Sequence, residues 1–242
     1  MRRALCLWVA VGCGPGGDAE KMPDPCKGDE ALSSCLSPVH SEAYYIEQSN
    51  GYFNTMDYNQ DMDVIPPYSE RVVRWEWPPW LRLTGYTRTE ILASDALLRL
   101  LPSTIPERDC RAFDEQPFGR CYVTFYYDDH EGLGCPIYEE FTFNDAGEIT
   151  WIEAWSDLPG MLPSPPDDPW AEGEDVSRLS TRIPGLGNEA GRIDPEGQAM
   201  IDAGLSDADV EDFRQRALDW KGAWLEEIGA AGDDMWERGC GW

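Results

Sequence analysis

Between Arg120 and Asp157 apolar and polar residues alternate with a period of two in three runs, Cys121–Asp128, Cys135–Asn144 and Glu148–Asp157. Turn-forming clusters, Asp128-Asp129-His130-Glu131-Gly132 and Asn144-Asp145-Ala146-Gly147, separate them. Period-two alternation bounded by such clusters predicts an antiparallel meander with one buried face. A three-residue loop at Asp145-Ala146-Gly147, with Gly147 at positive φ, fits the second turn. That turn sets Phe143 opposite Ile149, Phe141 opposite Trp151, Ile137 opposite Trp155 and Glu139 opposite Glu153. Facing carboxylates repel, so Glu139 and Glu153 form the first candidate for chemistry.

Upstream, the pattern changes. A helix is expected from Ser41, with Tyr45, Tyr52, Phe53 and Met56 near helical spacing. Alternate oxygen ligands in Asp57-Tyr58-Asn59-Gln60-Asp61 resemble the start of a calcium loop, but Met62 and Tyr68 stand where the glycine and the closing Glu belong. Capping aspartates at a turn are the better reading. Arg71–Trp77 reads as a strand stopped by Pro78-Pro79, and Thr87-Arg88-Thr89-Glu90 as a capping box opening a helix to about Leu101. Another strand is expected around Ile105–Phe113.

Downstream, the proline-rich stretch 158–170 marks a boundary, and Pro184-Gly185-Leu186-Gly187 is a loop without the glycine spacing of a phosphate cradle. Ser206-Asp207-Ala208-Asp209 opens a last helix, whose Val210, Phe213, Ala217, Trp220, Trp224, Leu225 and Ile228 form an apolar stripe. Such a stripe docks on the open side or edge of the sheet; a partner-binding helix is the alternative.

Charge narrows the partners. With 46 acidic and 19 basic residues the formal net charge is −27, which repels phosphate backbones and anionic headgroups and excludes nucleic acid. Cations or basic proteins fit that field, and so does a merely soluble surface. The 11 Trp, 10 Tyr and 7 Phe supply the core that a disordered acidic chain lacks.

The start MRRALCLWVAVG, basic at Arg2 and Arg3 and then apolar, has the layout of an export signal too short to span a bilayer. Val11-Gly12-Cys13 resembles the bacterial lipobox, which implies a lipid on Cys13 and a membrane-tethered envelope lipoprotein. Plain secretion is the alternative. Six cysteines then remain, with 15 possible connectivities. A hairpin turning at Glu115-Gln116-Pro117 sets Cys110 opposite Cys121; Cys26–Cys35 would close a local loop, leaving Cys135 to tie Cys240 to the sheet. With no CxxC pair and only His40 and His130, neither a metal site nor a cofactor is expected.

Three stretches carry a family likeness. Asn59-Gln60-Asp61-Met62-Asp63 through Trp75-Glu76-Trp77-Pro78 matches a helix-turn-helix-strand pattern. Thr84-Gly85 precedes the helix at Thr87, and Phe141-Thr142-Phe143-Asn144-Asp145-Ala146-Gly147-Glu148-Ile149-Thr150 forms a closing hairpin. In their order they resemble the NTF2-like superfamily, more narrowly its SnoaL-like and ketosteroid-isomerase-like group. The resemblance implies an α+β cone, a curved antiparallel sheet with three N-terminal helices enclosing an apolar pocket, here followed by a C-terminal helical extension. The layout is then an export signal at 1–12, lipidated Cys13 and a tether to 38, the NTF2-like domain at 39–158, a Pro/Gly-rich linker at 159–194 and the extension at 195–242.

Family members include isomerases, polyketide cyclases, epoxide hydrolases, dehydratases and non-catalytic binders. The position matching the isomerase base is Trp77, that matching its tyrosine donor is Phe53, and that matching an epoxide-hydrolase aspartate is Ala154. None of these can move a proton, so fold alone licenses no reaction. The expected function is non-catalytic binding of a small apolar or cationic ligand or a protein, at a pocket including Phe53, Glu76, Trp77, Tyr127 and Trp151. One alternative is acid–base isomerase, cyclase or hydrolase chemistry by Glu139 and Glu153, with Tyr127 or Tyr138 as donor and Arg74 or Arg120 as neutralising partners. The other is a structural envelope protein whose pocket is plugged by Trp236 or Trp242. A homodimer through the sheet is a further expected partner.

Overall fold

The computed structural model describes residues 35, 37–61, 64–77, 87–99, 102–173, 176–182, 195–215, 218 and 239–242. They form an α+β fold: α1 (Glu42–Tyr52), a 3₁₀ turn (Phe53–Thr55), β1 (Tyr68–Glu76), α2 (Arg88–Leu98), β2 (Ser103–Ala112), β3 (Gly119–Tyr127), β4 (Gly134–Phe143), β5 (Ile149–Ser156), α3 (Leu179–Arg182) and α4 (Gln198–Gly204). Residues 208–215 are helical as well. The five strands make one sheet in the order β1-β5-β4-β3-β2, antiparallel except for the parallel pair β1–β5.

Local chemistry sets the boundaries. Ser41 caps α1 by accepting from the Tyr44 N–H at 3.3 Å, and Tyr45, Ser49 and Tyr52 recur on its buried side. Thr87 caps α2 by accepting from the Glu90 N–H at 3.2 Å. α1 lies so close to the sheet that a Cβ on Gly119 would fall 2.1 Å from the Ser49 hydroxyl. Among the described residues no helix is long and apolar enough to cross a membrane.

Phe143 pairs with Ile149 as the turn predicts, and Gly147 has φ +83°. The expected register ends there. Thr142 pairs with Trp151, which leaves Thr150 as an extra residue in β5, a bulge. Everything beyond is displaced by one: Phe141 faces Ile152, Glu140 faces Glu153, Glu139 faces Ala154, and Tyr138 rather than Ile137 faces Trp155. Because side chains alternate across a sheet, a one-residue shift reverses the faces. Glu139 and Glu153 therefore lie on opposite sides, a correction to their expected pairing.

The second correction concerns burial, since both faces of the sheet are covered. All eight residues of β5 are buried, as in a strand sandwiched between layers. One face carries α1, the 3₁₀ turn and α2 over Tyr45, Tyr52, Phe53, Ile91, Val123, Phe141 and Ile152. On the other, Val73, Trp75 and Trp151 pack with Leu179, Met200, Ala203, Val210 and Phe213. The Phe213 ring meets Trp75 at 4.5 Å and Trp151 at 6.0 Å between centroids. The start of the predicted apolar stripe, Val210 and Phe213, thus docks on the sheet; Ala217, Trp220, Trp224, Leu225 and Ile228 lie outside the described residues.

Candidate functional site

On the helix-covered face, the register brings Glu76 of β1, Ala154 of β5 and Glu139 of β4 into one row. Two strand spacings, about 10 Å, separate the glutamate backbones, and the methyl of Ala154 leaves the space between them open. That row is the floor of a partly enclosed cavity completed by Met56, Leu98, Ser103, Phe125, Tyr127, Cys135 and Ile137. Its empty space, open solvent at the mouth included, is about 490 Å³.

Above this floor sits a buried ionic cluster. The Arg74 guanidinium, wholly enclosed, donates to Asp95 at 2.6 Å, to Ser94 at 2.7 Å and to Tyr52 at 3.0 Å. It also lies 3.5 Å from Glu76. Thr55 donates to the other Asp95 oxygen at 2.8 Å. Arg74 is thereby committed mainly to Asp95, and Glu139 receives only part of its field. Burial pushes the Glu139 carboxyl up to about 8, with Arg74 and a Tyr52 hydrogen bond opposing and Asp95 adding to the rise. Its Oε2 is buried with no hydrogen-bond partner among the described residues. Burial also raises the Tyr127 phenol, helped by Glu76 and Glu139. At neutral pH the cavity therefore presents a protonated carboxyl group, able to donate a hydrogen bond or to release its proton to an incoming base.

The opposite face handles carboxylates differently. Glu140 accepts from Arg120 at 2.8 Å and from Arg178 at 2.7 and 3.0 Å. The remaining donors of these arginines reach the carbonyls of Pro169, Ala171 and Gly173 at 2.9, 2.8 and 3.1 Å. Arg111 stacks on Trp170, 3.8 Å from the ring centroid. The proline-rich segment is thus pinned to the sheet by buried charge-assisted bonds. Glu153 accepts from the Leu179 N–H at 2.6 Å. Burial pushes its carboxyl up to about 7 against that bond, and Glu140 adds to the rise.

Of the residues expected at the pocket, Glu76, Tyr127 and Glu139 meet there. Phe53 is buried in the adjacent core, in edge contact with Tyr52, Phe125 and Phe141. Trp77 and Trp151 belong to the other face, where Trp77 packs between Trp155 and the Arg182 guanidinium. They do not line the cavity because strand parity sends them away from it. Tyr138, offered as a donor, lies on the far face against Trp170. Met56, Leu98 and Ser103 line the cavity and Asp95 holds Arg74 beside it, and none of the four was expected there; Asp95 sits on the buried side of α2, where a lone acid among apolar residues needs a partner, and that was the available signal.

The disulfides Cys110–Cys121 and Cys135–Cys240 are present. Cys35 is buried against the core, while Cys26, its expected partner, lies outside the described residues, as do the signal 1–12, Cys13, the 183–194 loop and Trp236. Trp242 donates to the Gly134 carbonyl at 2.9 Å beside His130 and is not among the cavity-lining residues. Compared with models of known families and with curated proteins, the chain finds no match.

Proposed function

We propose that this chain is an exported lipoprotein, tethered through Cys13 in the bacterial envelope, whose NTF2-like domain binds a small, largely apolar molecule without transforming it. The carrying observation is a buried carboxyl group, Glu139, with an oxygen unpartnered among the described residues, lining a cavity whose wall is mostly carbon, Met56, Leu98, Phe125 and Ile137 among it. A mostly apolar pocket with a few convergent polar groups is the usual form of a small-ligand site. The mixed sheet with α1 and α2 packed on its cavity face, together with the hairpin and lipobox residues, supports the family and export readings. Two copies pairing through this sheet would use its edges, since both faces carry chain.

A second reading, acid–base catalysis, has one specific observation in its favour: Glu139 holds its proton to about 8, close to the working range of a general acid, with Glu76 on the same cavity. Glu139 and Glu76 would form its pair, in place of Glu139 and Glu153.

Native mass spectrometry of the purified protein, with thermal shifts against small apolar compounds, tests the binding reading. Bound mass or stabilisation should disappear in Ala154→Leu, which fills the cavity floor. Stabilisation that survives in a folded Ala154→Leu variant, judged by an unchanged circular dichroism spectrum, would place the binding elsewhere and defeat the proposal.

A further inference from the structure

We infer that the ligand is a monocation with an apolar body, a protonated primary amine in the simplest case, whose ammonium group seats between Glu139 and Glu76 over Ala154. The inference rests on the pocket reading above and adds to it the charge of the occupant.

Four observations carry it. The first is geometric: Glu139, only 2% exposed and with an oxygen that has no hydrogen-bond partner among the described residues, lines the cavity together with Glu76. Such an atom costs free energy until a donor arrives, and an ammonium group brings three. The second is the charge balance. Arg74 is already engaged by Asp95, Ser94 and Tyr52 and by the nearby Glu76, and among the described residues no other cation lines the cavity to receive an anion. The third is shape. The two carboxyl groups offer a small ammonium head its contacts, while the carbon of Met56, Leu98, Phe125 and Ile137 in the same lining receives hydrocarbon. Aromatic rings in that wall, Phe125 and Tyr127, stack 6.2 Å apart and add attraction for a cation. The fourth is the net charge of −27, which raises the concentration of cations at the surface.

A metal ion fits less well. Among the described residues no group of three or more His, Cys, Asp or Glu side chains is placed to hold one. Hard divalent ions prefer six or more oxygens, several of them charged, whereas this cavity offers Glu76, a Glu139 that holds its proton to about 8, and the hydroxyls of Ser103 and Tyr127 among carbon and a disulfide sulfur.

Binding of this kind exchanges a proton. The titratable and charged groups around Glu139 are Tyr52 of α1, Tyr68, Arg74 and Glu76 of β1, Asp95 of α2 and Tyr127 of β3. Of these the tyrosines stay neutral, burial being the first cause that raises each. With Glu139 holding its proton up to about 8, an arriving ammonium stabilises the carboxylate, and one proton passes to the buffer. Affinity for the cation then rises about tenfold per unit as pH climbs towards that value and levels off above it.

Calorimetry on the oxidised full chain in 0.15 M salt, where surface attraction is screened beyond about 8 Å, decides the matter. The probes are pentylammonium, 1-pentanol and pentanoate, each in two buffers of different ionisation enthalpy. At pH 7 pentylammonium should bind at least about tenfold more tightly than 1-pentanol, releasing close to one proton, as expected for one buried charge-assisted contact. Pentanoate should bind weakest of the three. Glu139→Gln, close in shape, should keep the affinity for 1-pentanol and lose both the preference for ammonium and the proton release. If 1-pentanol binds as well as pentylammonium, or no proton is released, the cation inference is overturned while the pocket stands. If no probe binds at millimolar concentration, the pocket reading falls with it. An ammonium preference that persists undiminished in Glu139→Gln would also overturn the assignment, since the attraction would then come from the general surface field.

Discussion

Glu139 and Glu140 are consecutive residues of β4, each 2% exposed, yet they meet opposite fates. Glu140 points to the face where Arg120 and Arg178 wait, and their charges hold its carboxyl below the ordinary range despite the burial. Glu139 points to the cavity, where the nearest guanidinium is engaged by Asp95, and burial pushes it to about 8. Equal depth in the protein thus does not separate the two outcomes. What decides is how many donors converge on each oxygen once water has been removed. One face uses its carboxylate to bolt a proline-rich segment onto the sheet, and the other leaves a carboxyl group with capacity to spare.

The sharpest way to break this contrast is to remove each carboxylate in turn. Glu140→Leu leaves two arginines buried without their counter-charge and should cost about 3–5 kcal/mol, measured by urea denaturation at pH 7. Glu139→Gln removes a group that is neutral in the fold but ionised in the unfolded chain at that pH, so it should cost nothing and should stabilise instead, by up to about 1.4 kcal/mol per pH unit above about 4.5. Equal losses would mean that the two faces do not differ as described. The next effect is a pH dependence. A carboxyl group whose folded value is raised stabilises the fold fully below its unfolded value and loses that contribution as pH rises through the folded one. Stability should therefore fall between about 4.5 and 8 through Glu139 and between about 4.5 and 7 through Glu153, by up to about 1.4 kcal/mol per group per pH unit. Glu140, shifted the other way, loses its contribution as pH drops below the ordinary carboxylate range. Denaturant midpoints across this range should show a shallower decline in Glu139→Gln than in the parent, and an unchanged slope would refute the assignment. The smallest effect belongs to Glu153→Gln. Its amide oxygen still accepts from the Leu179 N–H, so stability at pH 4 should change by under about 1 kcal/mol, and the slope contributed between about 4.5 and 7 should vanish.

Much of the scaffold was legible in the residues alone. Ser41 and Thr87 announced their helices because side-chain oxygens next to an apolar period have few other uses. The Cys110–Cys121 disulfide followed from counting outward from the turn at Gln116-Pro117, since a hairpin converts sequence distance into a cross-strand address. The pairing of Phe143 with Ile149 followed in the same way. Counting failed one residue further on, because Thr150 has no composition that marks a bulge; a β-branched residue suits an ordinary strand position equally well. That failure misplaced the site: it put Glu153 in the pocket and relegated Glu76 to an accessory role. The contacts of segment 162–178 were also invisible, since a Pro-rich run reads as a tether until Arg120 and Arg178 are seen to reach its carbonyls or Glu140. Tertiary hydrogen bonds of that kind leave no periodic trace.

Thr150 also gives β5 room for one change of length. Deleting it would bring Ile149 and Trp151 side by side opposite Phe143 and Thr142, which are already neighbours, so every remaining pair would keep its partner and its face. Ala154 would stay on the cavity floor, and Glu140 would keep the surface on which its arginines converge. A deletion within Asp145–Gly147, outside the paired ladder, likewise leaves the facing of the strand alone. Homologues that vary in length should therefore tolerate it at the hairpin tip and again at this position.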